Sequence, residues 1–282
     1  MSQKNMKVYE YKPAHFFVIT FLISSVICFT AAYISFQNSM QYLLFPLILG
    51  SMSGPSIAAC IMLIQSKNQK LWSDFYSRLR FDSMKKSFIL GILLCVPSLI
   101  ACAIMISYFF GQSLDQFIIS KQAPDQVLNG FDFIGILITL FLSSSLEEIG
   151  WRGYGIDSLC NRYNLWQTSL IFATLWSAWH IPAFFINNGY FQQELLNLGC
   201  IHVVIYFASI YPLTILINWV YVENNRSILI AILFHMIINF SYSLFHLQLA
   251  TKIINLLFLW TVAGAVVMKN KQLFFTLPKK LL

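Results

Sequence analysis

Phe141-Leu-Ser-Ser-Ser-Leu-Glu-Glu-Ile-Gly-Trp-Arg-Gly-Tyr-Gly155 is the stretch on which the reading of this chain turns. An apolar run ends there in two adjacent carboxylates, Glu147 and Glu148, with Arg152 four residues beyond the second. The other long apolar runs carry almost no formal charge. Ionised groups at the edge of hydrocarbon are expensive and mark a function by default. The competing explanation is a helix that has left the membrane with its acids in water. On a helix, Glu148 and Arg152 share a face and can pair, whereas Glu147 is rotated by about 100° and can point elsewhere. The spacing suggests one acid held by arginine and the other free for proton transfer.

The surroundings of this stretch set the fold class. The chain is 58% apolar and only 10% charged, with a mean hydropathy of +0.68, which places it outside the soluble globular range. Ten-residue alternating strand patterns are absent, so the spans must be helices. The expectation is an all-α, polytopic membrane helical bundle, a single membrane domain over 1–282. A bilayer core takes roughly 20 apolar residues per helix. Eight stretches meet this approximately: 15–36, 42–64, 88–110, 132–150, 166–187, 199–222, 227–246 and 253–268.

The net charge of +7 does not indicate a nucleic-acid partner, because the basic residues sit in short segments between apolar runs, where topology signals belong. With both termini cytoplasmic, sixteen of the eighteen Lys and Arg fall inside, and only Lys121 and Lys252 outside. The N-terminus reads as a retained first span rather than a cleaved signal. Six cysteines show no CxxC pairing and read as buried, inert thiols. Gly50 and Gly54 suggest close helix packing, and Pro55 and Pro97 suggest kinks. In 65–86, Leu71, Trp72, Phe75, Leu79 and Phe81 recur at roughly helical spacing among charges. That pattern fits an amphipathic helix in the headgroup plane or an ordinary basic loop. The loop 111–131 reads as polar, external and irregular.

Two further spans carry polar groups at depth. The fifth holds Trp176-Ser-Ala-Trp-His180 followed by Pro182, and the seventh holds His235-Met-Ile-Ile-Asn239. A lone histidine on an apolar helix is more often a packing residue than a ligand. Two of them, one with an asparagine a turn away and both beside a diacid, favour a site. His15, His202 and His246 lack such company and receive no role. At 1.5 Å per residue, Glu147 falls about 5 Å from the cytoplasmic end of its predicted span, and His180 roughly 21 Å deep in its own. The two depths disagree unless the fifth helix tilts strongly or starts low.

Glu147-Glu148-xxx-Arg152, then an aromatic-xxx-His, then His-xxx-Asn, in this order on successive helices, resembles the CAAX protease and bacteriocin-processing (CPBP) family of intramembrane endopeptidases. The likeness covers about 130–245, the expected catalytic core. Trp176 stands where that family usually has Phe, a position expected to pack rather than react. The resemblance implies an eight-helix core with a cavity opening toward the cytoplasmic leaflet. It also implies a metal-free site for peptide-bond hydrolysis: Glu147 as general base and then acid, His180 holding the attacking water, and His235 with Asn239 donating to the oxyanion. Glu148, Arg152 and Trp176 would support them.

Other readings stay open on sequence grounds. Glu147, His180 and His235 form a chemically acceptable zinc ligand set, although no HExxH is present. A transporter would show inverted repeats or spread polar groups, and neither is visible. A non-catalytic immunity protein of the same fold would tolerate loss of the motifs, all of which are intact. The expected partners are a peptide or membrane-protein substrate and the lipid bilayer, and the expected location is the cell membrane, as a multi-pass protein. Prenylated tails and bacteriocin-like leaders are substrate classes suggested by the resemblance alone.

Overall fold

The computed structural model describes residues 9–117 and 130–277; the expected outside Lys121 and most of the 111–131 loop lie beyond them. Helix α1 (Pro13–Ile34) starts on a proline whose missing N–H costs nothing at that position. It is followed by α2 (Leu44–Ser51), α3 (Gly54–Ser66), the short α4 (Gln69–Arg78) and α5 (Lys86–Phe109). Next come α6 (Gly130–Gly150), a π-helical turn (Trp151–Gly155) and α7 (Ile156–Cys160). Helix α8 (Leu165–Trp179) opens with a capping box between Asn164 and Gln167. The 3-10 turn Ile181–Phe185, α9 (Tyr190–Gln193) and a second π turn (Glu194–Leu198) follow. Helices α10 (Cys200–Glu223), α11 (Ile228–Leu244), α12 (Leu249–Lys269) and α13 (Lys271–Phe275) complete the chain.

Among the described residues there is no β-strand, and the protein is an all-helical bundle. Five helices are long and apolar enough to cross a bilayer, or seven segments if each of two bent pairs counts as one; α11 is apolar but shorter. The bends have chemical causes. Pro55 cannot donate to the Ser51 carbonyl, so the expected 42–64 span breaks into α2 and α3 with a 47° bend. Ser24 Oγ donates to that carbonyl instead, at 2.8 Å. The expected 166–187 span is also corrected. Its α-helix stops at Trp179 and gives way to the 3-10 turn Ile181–Phe185, where Pro182 has no N–H to carry the α-helical ladder on. The chain then turns by 85° into Tyr190–Leu198.

The largest correction concerns the fourth stretch. It does not end at 150 but runs on through the π turn to Cys160, 28 residues from Phe133. The glutamates therefore sit inside a helix rather than at its exit. A Cβ on Gly150 would lie 2.1 Å from the backbone of Pro55, so glycine there is what lets α6 lie against α3. Helix α6 also packs on α11, α8 on α10, and α10 on α12. In the basic segment after α3, α4 buries Leu71 and Phe75, which settles that segment as a helix.

Candidate active site

The observed length of α6–α7 reconciles the depths that disagreed in sequence. Glu147 lies thirteen residues before the helix ends at Cys160, roughly 20 Å at the α-helical rise. His180, at the C-terminal end of α8, is roughly 22 Å from Leu165 by the same rise. No strong tilt of α8 is required to bring them to one level.

Both glutamates are buried, Glu147 at 4% exposure and Glu148 at 0%, which rules out acids solvated at a helix exit. They face different partners, as their 100° offset implies. Arg152 Nη1 lies 2.8 Å from Glu148 Oε1 and 2.7 Å from Oε2. Arg152 Nη2 donates to Asn218 Oδ1 at 3.1 Å, and Asn218 Nδ2 donates to Ser169 Oγ at 3.0 Å. The guanidinium also stacks near the Phe172 and Trp176 rings. Removing one partner of such a buried pair typically costs about 3–5 kcal/mol, so this side chain network is structural cement.

Glu147 is held rather than free. Its Oε2 accepts from Trp176 Nε1 at 3.1 Å and from Trp151 Nε1 at 3.4 Å. Its Oε1 has no hydrogen bond from a described residue and is left to accept from a small molecule. Trp176 was expected only to pack; its indole N–H instead bonds the candidate base, which the Phe usual in the resembling family would not do.

The two histidines meet the same indole. The Trp176 ring centroid is 5.9 Å from that of His180 and 5.2 Å from that of His235. His180 Nδ1 lies 2.7 Å from the Trp176 carbonyl. A carbonyl only accepts, so Nδ1 carries the proton and Nε2 of the neutral ring is an acceptor. His235 Nδ1 bonds Glu148 Oε1 at 2.9 Å, which makes Glu148 a bridge between Arg152 and the seventh-span histidine. Asn239, one turn further along α11, is half-buried and makes no side-chain hydrogen bond to a described residue. His235 and Asn239 share a helix face but are not bonded to each other.

Three participants had no sequence signal of their own. Tyr206 of α10 packs edge-on against His180 at 5.6 Å, and Phe191 does the same from the other side of the 85° turn. Asn218 completes the Arg152 shell. Tyr206 and Asn218 belong to an apolar run without a motif and Phe191 to the polar stretch before it, and only the folded chain brings them to the site. Among the described residues no three His, Cys, Asp or Glu side chains are grouped as a metal ion needs.

The chain is similar to known proteins along nearly its whole length. A family model described as "Type II CAAX prenyl endopeptidase Rce1-like" matches residues 129–241, which span Glu147 to Asn239. A CAAX prenyl protease 2 from Methanococcus maripaludis is 36% identical over 272 residues, covering 95% of this chain and 97% of that one. With helices long and apolar enough to cross a bilayer, these matches define the class, a membrane-embedded protease. The chain belongs to the Rce1-like family of type II CAAX prenyl endopeptidases.

Proposed function

We propose that the protein hydrolyses a peptide bond with a water activated by Glu147, at a site completed by His180, His235 and Asn239. The observation that carries this is the meeting of three elements on one indole: Glu147 bonds its nitrogen, and both imidazoles pack against its ring. In this reading the attacking water sits between Glu147 Oε1 and His180 Nε2, acceptors left without donors among the described residues. Glu147 removes one proton as the oxygen attacks the scissile carbonyl carbon. The oxyanion that forms receives hydrogen bonds from Asn239 Nδ2 and from Nε2–H of His235 in its imidazolium form, whose Nδ1–H is fixed by Glu148. The protonated Glu147 then gives its proton to the leaving nitrogen as the C–N bond breaks. The products are a new carboxyl terminus and a free amine, with water consumed.

The wall of Trp179, Phe191 and Tyr206 around His180 limits bulk water, which strengthens each hydrogen bond within. The substrate is a peptide or protein tail reaching this depth of the bilayer; by membership of its family, a prenylated CAAX tail is the first to try. His235→Ala and Asn239→Ala are each expected to lower kcat by about 10²–10³ with KM little changed. A chelator is expected to leave the wild-type rate untouched. Steady-state cleavage in liposomes reads both. Full activity in Asn239→Ala and His235→Ala removes the oxyanion assignment, and a chelator-sensitive rate restored by zinc removes the metal-free one.

A further inference from the structure

Where α4 and the α10–α11 turn meet α7, four charged side chains form a closed ring. Arg78, at the end of α4, is 2% exposed. Its Nη1 donates to Asp157 Oδ2 at 2.8 Å, and its Nε lies 3.0 Å from Asp74 Oδ2. Arg226, in the turn between α10 and α11, donates from Nη1 and Nη2 to the two oxygens of Asp74 at 3.0 Å each. Arg226 also donates to Asp157, from Nε at 3.3 Å and from Nη2 in a closer contact. The signs alternate around the ring, Asp74, Arg226, Asp157, Arg78, so every neighbour attracts. Tyr221 bonds into it, its hydroxyl 2.8 Å from Arg78 Nη1 and 3.1 Å from Asp157 Oδ1.

The ring also grips the backbone of the π turn. Arg78 Nη1 donates to the Arg152 carbonyl at 2.8 Å, and Nη2 to the Gly153 carbonyl at 3.0 Å. Tyr221 Oη donates to the same Arg152 carbonyl at 2.9 Å. A planar guanidinium with diverging donors spans two successive carbonyls, a task the point charge of lysine does not match. Gly153 permits the approach, since a Cβ there would lie 2.8 Å from the Phe75 ring of α4. On the other side, Asn225 and Arg226 both adopt left-handed backbone, at φ 54° and 61°. Such a conformation costs roughly 1–2 kcal/mol per residue, and the Arg226 ion pairs offset it.

These contacts join the two parts of the proteolytic site. The π turn begins three residues after Glu148 and contains Arg152; the α10–α11 turn immediately precedes the helix that carries His235 and Asn239. We propose that Arg78, on a helix outside the spans, is a positioning residue: through Asp157, Tyr221 and Arg226 it sets the acid-bearing helix against the helix that supplies the oxyanion donors. This rests on the reading of Glu147, His235 and Asn239 given above and adds to it a distant determinant of their register. Catalytic geometry is sensitive at this level, because a misplacement of about 1 Å from a remote change can lower a rate about a hundredfold.

The test uses the full-length protein in liposomes with a farnesylated CAAX peptide, comparing wild type, Arg78→Lys, Tyr221→Phe and Glu147→Ala. Tyr221→Phe keeps the ring and removes only the hydroxyl; Arg78→Lys keeps the charge and removes the fork. Both are expected to melt within a few degrees of wild type, with unchanged KM and with kcat lowered about tenfold or more. Wild-type kcat in both variants overturns the proposal. So does a loss of activity that only tracks the loss of folded protein, since that is what a purely structural role predicts. Glu147→Ala separates the two levels. If it is inactive while Arg78→Lys and Tyr221→Phe are normal, the positioning claim alone fails. If it cleaves like wild type, the assignment of the base fails whatever the others do.

Discussion

The indole nitrogen of Trp176 lies 3.1 Å from Glu147 Oε2, and a phenylalanine in the same place would keep the ring and lose the bond. A hydrogen bond to a charged group contributes about 1.5–3 kcal/mol. Trp176→Phe is therefore expected to lower the melting temperature by about a few degrees and kcat about tenfold, measured by thermal denaturation and cleavage on the same preparation. An unaltered kcat would return Trp176 to the packing role its sequence position suggested. The contrast with Glu148 shows what is legible at this scale. The Glu148–Arg152 pair was readable because four positions on one helix bring two side chains together whatever the tertiary fold. The bonds from Trp176 to Glu147 and from His235 to Glu148 cross between helices, between partners 29 and 87 positions apart in the chain, and no local spacing encodes them.

Among the elements, apolar length located the spans but not their ends. Three of the expected stretches changed shape: 42–64 breaks at Pro55, 166–187 leaves the α-helix after Trp179, and 132–150 continues to Cys160. The continuation hid itself because Glu, Arg and Asp157 look like an exit to water, whereas here Arg152 and Asp157 are buried and paired. Helix α3 meets α6 at the point where Pro55 faces Gly150, three residues from Glu147. Gly150→Ala puts a Cβ 2.1 Å from backbone, contact that no rotamer change can relieve. Overpacking of this kind costs about 1–3 kcal/mol. The expected result is a lowered melting temperature together with a lower kcat, because the displaced helix carries Glu147, the proposed base. A variant as stable as wild type would mean that α3 and α6 separate without strain.

For the molecule as a whole, composition alone was enough to read a helical membrane bundle, since so few charges and so much apolar length leave no other architecture. The order of the three motifs was enough to suggest the protease family, to which the chain belongs. Convergence was not readable, because it depends on where helices end and bend. Once α6 runs to Cys160 and α8 stops at Trp179, Glu147 and His180 arrive at one depth, and α11 brings His235 to the far edge of the Trp176 ring. The charged ring around Arg78 and Asp157 then ties the site's two sides together below it.

The central claim is that the Glu147 carboxylate takes the proton from the attacking water. It is tested most directly by comparing wild type with Glu147→Gln in liposomes, with turnover and binding of a farnesylated CAAX peptide measured on one preparation. Glutamine keeps the shape and accepts the same indole hydrogen bonds but takes no proton from water at neutral pH. The account predicts peptide affinity and melting temperature like wild type with turnover lost; cleavage by Glu147→Gln at a rate near that of wild type would contradict it.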